Sequence, residues 1–150
     1  YAPFNVQELD GRLFVSYAKQ DADKVDDVPG RGHGFVDVFS PTGRLLRRLI
    51  SRGPLNSPWG LAIAPRDFGR FSHDLLVGNF GNGKIHAFDR RTGDLVGTMR
   101  NKHHGEITID GLWGLRFGNS VDASRHTLLF TAGPDDEAHG LLGAIHHIER

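Results

Sequence analysis

Short apolar runs alternate with polar segments along the whole chain, and turn-forming residues separate one run from the next. The run at residues 12–17 is typical, because β-branched and aromatic side chains are prominent there and Asp10-Gly11 comes directly before it. Such runs predict β-strands, and Asp-Gly predicts a hairpin turn. No window shows the spacing of an amphipathic helix, so the pattern predicts an all-β chain.

The predicted strands fall into three groups that follow one plan. Each group is a succession of strands joined by turns rich in Gly, Asp and Asn, except that residues 19–33 form a long polar loop. The third group lacks a fourth, outer strand. The predicted strands are residues 3–9, 12–17, 34–39 and 44–50; a strand centred on Trp59, then 74–80, 84–88 and 94–100; and 113–117, 127–131 and 141–147.

A Trp-Gly-Leu motif opens the second and third groups and sets the repeat. Trp59 and Trp113 are 113 − 59 = 54 residues apart, and Phe4 takes the place of the tryptophan in the first group. Short strands that repeat at roughly 40–50 residues are typical of β-propeller blades. The recurrence favours a structural position for both tryptophans between neighbouring blades over stacking on a ligand.

The repeat predicts a β-propeller fold with three antiparallel blades, mostly four-stranded, at about residues 3–51, 58–100 and 112–150. Propellers typically have 4–8 blades, and an open row would expose strand edges and apolar faces. We therefore expect these blades to form half of a six-bladed ring. The remainder of the ring would come from missing residues of the same chain or from another chain. Met99 is the single methionine, so we expect the chain to be processed or part of a longer protein.

Composition narrows the classes of partner. Lys and Arg together number 18, as do Asp and Glu, so no net charge draws the chain to nucleic acid. No stretch approaches the roughly 20 apolar residues of a membrane span. The chain has no cysteine, which removes disulfides and thiolate metal sites. We therefore expect a protein or glycan partner, with no nucleic acid and no membrane span.

Candidate ligand-binding residues lie in the predicted loops. Asn56 and Asp110 each stand three residues before a tryptophan of the motif, and Asn79 opens a glycine-rich turn. One interpretation is a polar ring that binds a cation or sugar. The favoured interpretation is that each side chain caps its own turn. Five segments are expected on one face of the blades, at residues 19–33, 52–58, 81–83, 101–111 and 134–140.

Two further clusters suggest a metal. Four aspartates in the long loop provide oxygen ligands suited to Ca²⁺ or another divalent cation, although the loop departs from the EF-hand pattern and a solvated loop is the favoured interpretation. His103 and His104 could join Asp110 or His139 across the face, but no fixed-spacing zinc motif is present. The aspartates are Asp21, Asp23, Asp26 and Asp27, and the histidines are His103, His104 and His139.

Several motifs together resemble a family of uncharacterised bacterial proteins similar to NHL-type propellers, some of which carry a PEP-CTERM sorting tail. They lie at residues 1–7, 17–22, 34–39, 53–62, 76–81, 109–115 and 130–134. The resemblance covers nearly the whole chain and implies the C-terminal half of a protein about twice as long. It also implies an exported location: secreted, periplasmic or at the cell surface. No activity comes with it.

The leading functional prediction is a non-catalytic binding or scaffold module outside the cytoplasm, which recognises its partner through the loop face. The alternative is a metal-assisted hydrolase or lyase of the NHL-like kind. Such an enzyme needs an ion with at least three converging protein ligands at the channel mouth, drawn from Asn56, Asp110 and loop carboxylates. No serine-hydrolase elbow or phosphate-binding loop is present in the sequence.

Overall fold

In the computed structural model, which describes residues 1–148, the chain is built from β-strands and one short 3₁₀ turn at Gly69–Phe71. The prediction of an all-β chain is confirmed. The strands are β1 (Ala2–Leu9), β2 (Arg12–Ala18), β3 (Gly34–Phe39), β4 (Leu45–Ser51), β5 (Pro58–Ile63), β6 (Leu75–Asn79), β7 (Ile85–Phe88), β8 (Leu95–Thr98), β9 (Leu112–Phe117), β10 (Thr127–Ala132) and β11 (Leu141–His146).

These strands form three antiparallel sheets in which every strand pairs with the next one along the chain. Sheet I contains β1 to β4, sheet II contains β5 to β8, and sheet III contains β9 to β11. Each sheet is therefore a simple meander, which the short polar turns between the strands permit. Sheet III has three strands within residues 1–148, one fewer than its neighbours.

Sheet II lies between the other two sheets and shares a hydrophobic core with each. On one face, Leu61 and Val77 belong to the core shared with sheet I. On the other, Ala62 and Leu76 belong to the core shared with sheet III. The division follows from the alternation of side chains along a strand, since neighbours point to opposite faces. Strands buried on both faces explain why sheet II is almost continuously apolar.

The Trp-Gly pair of the motif controls how closely the sheets approach. A Cβ on Gly60 would lie 2.7 Å from the carbonyl oxygen of Trp113, so only glycine lets β9 pack so near β5. The Trp59 ring points the other way and makes an edge contact with Phe4 of β1, with ring centroids 4.7 Å apart. Trp59 thus lies between sheets I and II, in a structural position of the predicted kind.

Both outward faces of the stack remain partly apolar. On sheet I, Val6 is 58% exposed and Phe35 is half-buried beside the ion pair of Asp37 and Arg48. On sheet III, Leu142 is 72% exposed and points away from the core side chains of β10. Each outward face therefore exposes apolar side chains to solvent.

Candidate binding face

Five loops meet at one edge of the three sheets, as the sequence predicts, and hydrogen bonds join them in series. We call these residues the loop face; it comprises residues 19–33, 52–57, 80–84, 99–111 and 133–140. Asn56 is the first junction. Its Oδ1 accepts from Gly30 N at 2.7 Å, and its carbonyl accepts from Gly81 N at 3.1 Å. Three loops from sheets I and II thus share one residue.

Asn79 supports that junction from beneath. Its side chain is fully buried, and its Oδ1 accepts a hydrogen bond from Asn56 N at 2.8 Å. Its Nδ2 donates to the carbonyl oxygens of Lys84 at 3.1 Å and Val77 at 3.3 Å. The side-chain oxygens of Asn56 and Asn79 are therefore both engaged within the protein. The Asn56 side chain does not cap its own turn, as the favoured interpretation expected, because its Oδ1 bonds to Gly30 in a separate loop.

The series continues from sheet II to sheet III. Ile109 N donates to Gly83 O at 2.9 Å, and Asp135 N donates to Asp110 Oδ2 at 2.9 Å. The Asp110 carboxylate thus closes the last junction, in the same way that the Asn56 amide closes the first. Each loop of this face is thus joined to a neighbouring loop by at least one hydrogen bond to a backbone group.

Asp110 and His139 both contact Asp135 in the loop at residues 133–140. Neither the Asp110 carboxylate nor the His139 imidazole is buried. His139 Nε2 lies 3.7 Å from Asp135 Oδ2, and these two side chains are 69% and 77% exposed. Trp113 Nε1 donates to Glu137 Oε1 at 3.1 Å in the same loop. Exposed pairs of this kind contribute little to stability, about 0–1 kcal/mol each.

His103 and His104 are exposed in a turn that Asn101 closes. Asn101 Oδ1 accepts from His103 N at 2.9 Å and from Gly105 N at 3.1 Å, and the Asn101 carbonyl accepts from His104 N at 3.0 Å. The same turn leads to Glu106 and so to a charge cluster that sequence analysis missed. The histidines therefore stand on an ordered turn at the edge of the loop face.

The charge cluster is formed by Lys84, Glu106 and Arg100. Glu106 binds Lys84 from the neighbouring turn, and its other oxygen lies 3.5 Å from Arg100 Nη2. The hydrogen bond from Lys84, followed by its charge, holds the pKa of Glu106 below the ordinary value. No sequence signal pointed to this cluster, because Lys84 lies in a different turn from Arg100 and Glu106.

The aspartates of the long loop mainly organise the loop itself. Asp21 Oδ1 accepts from Val25 N at 3.0 Å, and Asp21 N donates to Asp26 O at 2.9 Å. Asp23 is exposed, and one carboxylate oxygen of Asp27 is buried without a hydrogen-bond partner. Throughout residues 1–148, no three His, Asp or Glu side chains are grouped so that they could hold a metal ion.

Comparison with known proteins identifies relatives without assigned roles. No model of a known protein family matches the chain. Two uncharacterised proteins of Acanthamoeba polyphaga mimivirus are 38% and 35% identical over 146 residues, or 97% of this chain. The matched part is 36% and 38% of their respective lengths. A third uncharacterised protein of the same virus is 31% identical over 116 residues, which cover 77% of this chain and 22% of the relative.

The chain therefore spans little more than a third of the length of these first two relatives. Across the described part of the chain, no helix has the length and apolar character needed to cross a membrane.

Proposed function

We propose that this protein is a non-catalytic binding or scaffold β-propeller, in which sheets I to III are consecutive blades and the loop face recognises a protein partner. The observation that carries this proposal is the series of hydrogen bonds through Asn56, Gly83 and Asp110. A preformed surface loses little conformational entropy when a partner binds, which favours affinity.

The stacking of the sheets supports the propeller. First strands of neighbouring blades meet near the axis of a propeller, and here β5 contacts both β1 and β9. The apolar outward faces of sheets I and III are the surfaces that further blades would cover. The relatives are long enough to supply such blades, since the matched region is 36% of one of them. Electron microscopy of the full-length protein tests the ring; a non-annular particle would refute it.

The character of the loop face favours a protein partner. Its exposed side chains mix both charges with imidazole groups, as Arg31, His103 and Asp136 illustrate. A mixed polar rim around a rigid surface is common in protein–protein interfaces, whereas nucleic-acid surfaces are strongly basic. The metal-assisted hydrolase has no ligand set to support it among residues 1–148.

Two matched variants of the full-length protein test the binding face. The first carries Arg31→Ala, His103→Ala and Asp136→Ala on the loop face. The second carries Asp122→Ala and Arg125→Ala in the exposed loop at the opposite edge. In quantitative affinity capture from the native source, we expect the loop-face variant alone to lose partner proteins. Equal retention by both variants would contradict the proposal.

We also propose a location outside the cytoplasm, namely secreted, periplasmic or at the cell surface. It rests on the resemblance to the bacterial family described above. Fractionation of the producing cells tests it, with a cytoplasmic enzyme as control. Recovery of the full-length protein with that enzyme would refute this location.

A further inference from the structure

A groove of about 660 Å³ opens between sheets II and III beside the outer edge of β11. Its floor is apolar and includes Phe71 and Met99 from the sheet II side and Ile145 from β11. Basic side chains, among them Arg70 and Arg100, stand at its rim. Apolar side chains at an open groove are more stable when another element covers them.

The pairing registers show what occupies the corresponding place elsewhere in the molecule. Phe88 pairs with Leu75 in sheet II, and Ile145 pairs with Leu128 in the same register of sheet III. Phe88 is the last residue of β7, and a turn at residues 89–93 leads from it into β8. Position 146 of sheet III thus corresponds to the start of a turn toward a fourth strand.

That turn in sheet II lies directly on the fourth strand of sheet I. Arg47 of β4 donates from Nη2 to the carbonyl oxygen of Arg90 at 2.9 Å and also binds the Arg91 carbonyl. A Cβ on Gly93 would clash with the backbone carbonyl of Leu49 in β4, so this turn packs directly against that strand. In sheet III, a chain that leaves β11 in the same way would pass over β8 and Met99. The groove lies at that place.

We propose that this groove is the seat of a fourth antiparallel strand of sheet III, supplied by the same protein from outside residues 1–148. The strand pairs with the edge of β11 that faces away from β10, as β4 pairs with β3 and β8 pairs with β7. The relatives contain ample chain for it, since the match covers 36% and 38% of their lengths. Backbone hydrogen bonds along β11 and the apolar floor together specify an extended segment.

Hydrogen exchange of the full-length protein, followed by mass spectrometry, tests the pairing. The comparison is internal: β7 has neighbours on both sides, whereas β8 is the outer strand of sheet II. We expect the slowest amides of β11 to resemble those of β7. Its outward amides should exchange about tenfold more slowly than the outward amides of β8, the effect of one added hydrogen bond. Exchange as fast as in β8 would overturn the proposal.

A photo-crosslinking residue identifies the donor of the strand. It replaces Arg70 at the groove rim, and the matched control replaces Arg66, an exposed residue of the same loop outside the groove lining. We expect the Arg70 position alone to crosslink within one molecule, to a segment outside residues 1–148. A crosslink to a second copy or to another protein would overturn the same-chain donor, and so would the absence of any crosslink. Loop-face binding is unaffected by these outcomes, so this proposal and the proposed function fail separately.

Discussion

Replacing Asn79 by alanine separates a structural role from a ligand-binding role on the loop face. Asn79 is fully buried, and the change removes three hydrogen bonds. Asn56 N loses its acceptor, and the carbonyl oxygens of Val77 and Lys84 each lose a donor. A net hydrogen bond contributes about 0.5–1.5 kcal/mol, and leaving buried groups without partners adds to the loss. We therefore expect the free energy of unfolding to fall by about 2–4 kcal/mol.

Urea denaturation of the full-length protein measures this loss, and hydrogen exchange locates it. Exchange should accelerate at residues 30–33 and 52–57, because Asn56 joins both segments. The matched control is Asn82→Ala in the same turn, which removes a single hydrogen bond, from Lys84 N at 3.1 Å. The control should cost about 1 kcal/mol. An Asn79→Ala variant no less stable than the control would refute the structural reasoning.

Three further predictions concern the sheets. Gly60→Ala should destabilise by about 1–3 kcal/mol in thermal or urea unfolding, because the new Cβ would lie 2.7 Å from a backbone oxygen of β9. Burial lowers the pKa of His86 from 6.5, so the unfolded state takes up the proton at a higher pH than the folded state. The free energy of unfolding should therefore fall as the pH drops below 6.5, and His86→Gln should reduce this dependence on pH. Arg48→Met removes both hydrogen bonds, at 2.8 and 3.0 Å, from the buried Asp37 carboxylate and should cost about 1–3 kcal/mol.

Each of these has a control at a less constrained position. Gly114→Ala tests the equivalent glycine of sheet III, where a Cβ would meet only the Thr131 hydroxyl at 3.1 Å. His126→Gln makes the same substitution at an exposed histidine. Arg44→Met removes an exposed arginine near β4 and should change stability by less than about 0.5 kcal/mol. Equal effects of a variant and its control would contradict the corresponding assignment.

Strands were predictable because burial on one or both faces imposes a local pattern on the sequence. The predicted strand at residues 127–131 differs from β10 by one residue, and the fourth strand of sheet II was predicted too long, at 94–100 instead of Leu95–Thr98. Strand ends are set by pairing partners, which a local pattern does not contain. The Trp-Gly repeat also predicted contacts between sheets. Gly60 packs against sheet III, and Trp59 packs against sheet I on the opposite face of sheet II.

The connections between loops were only partly predictable. The spacing from the tryptophans singled out Asn56 and Asp110. It did not predict which backbone groups these side chains bind. Lys84 and Glu106 meet across 22 residues of sequence, and nothing in either turn specifies the other. The burial of Phe68 and Phe71 in the β5–β6 connection was likewise missed, because a loop position gives no periodicity from which burial can be inferred.

The connection between β9 and β10 differs from every segment of the loop face in satisfying its hydrogen bonds locally. Ser120 N donates to Ala123 O, and Asn119 Oδ1 accepts from Val121 N and Asp122 N. An extra peptide inserted there would therefore disturb no partner on another sheet, whereas one inserted between Gly81 and Gly83 would disturb the hydrogen bonds that join sheet II to the loops of its neighbours. Residues 119–123 should therefore tolerate added sequence, and an affinity handle placed there would leave the loop face unchanged.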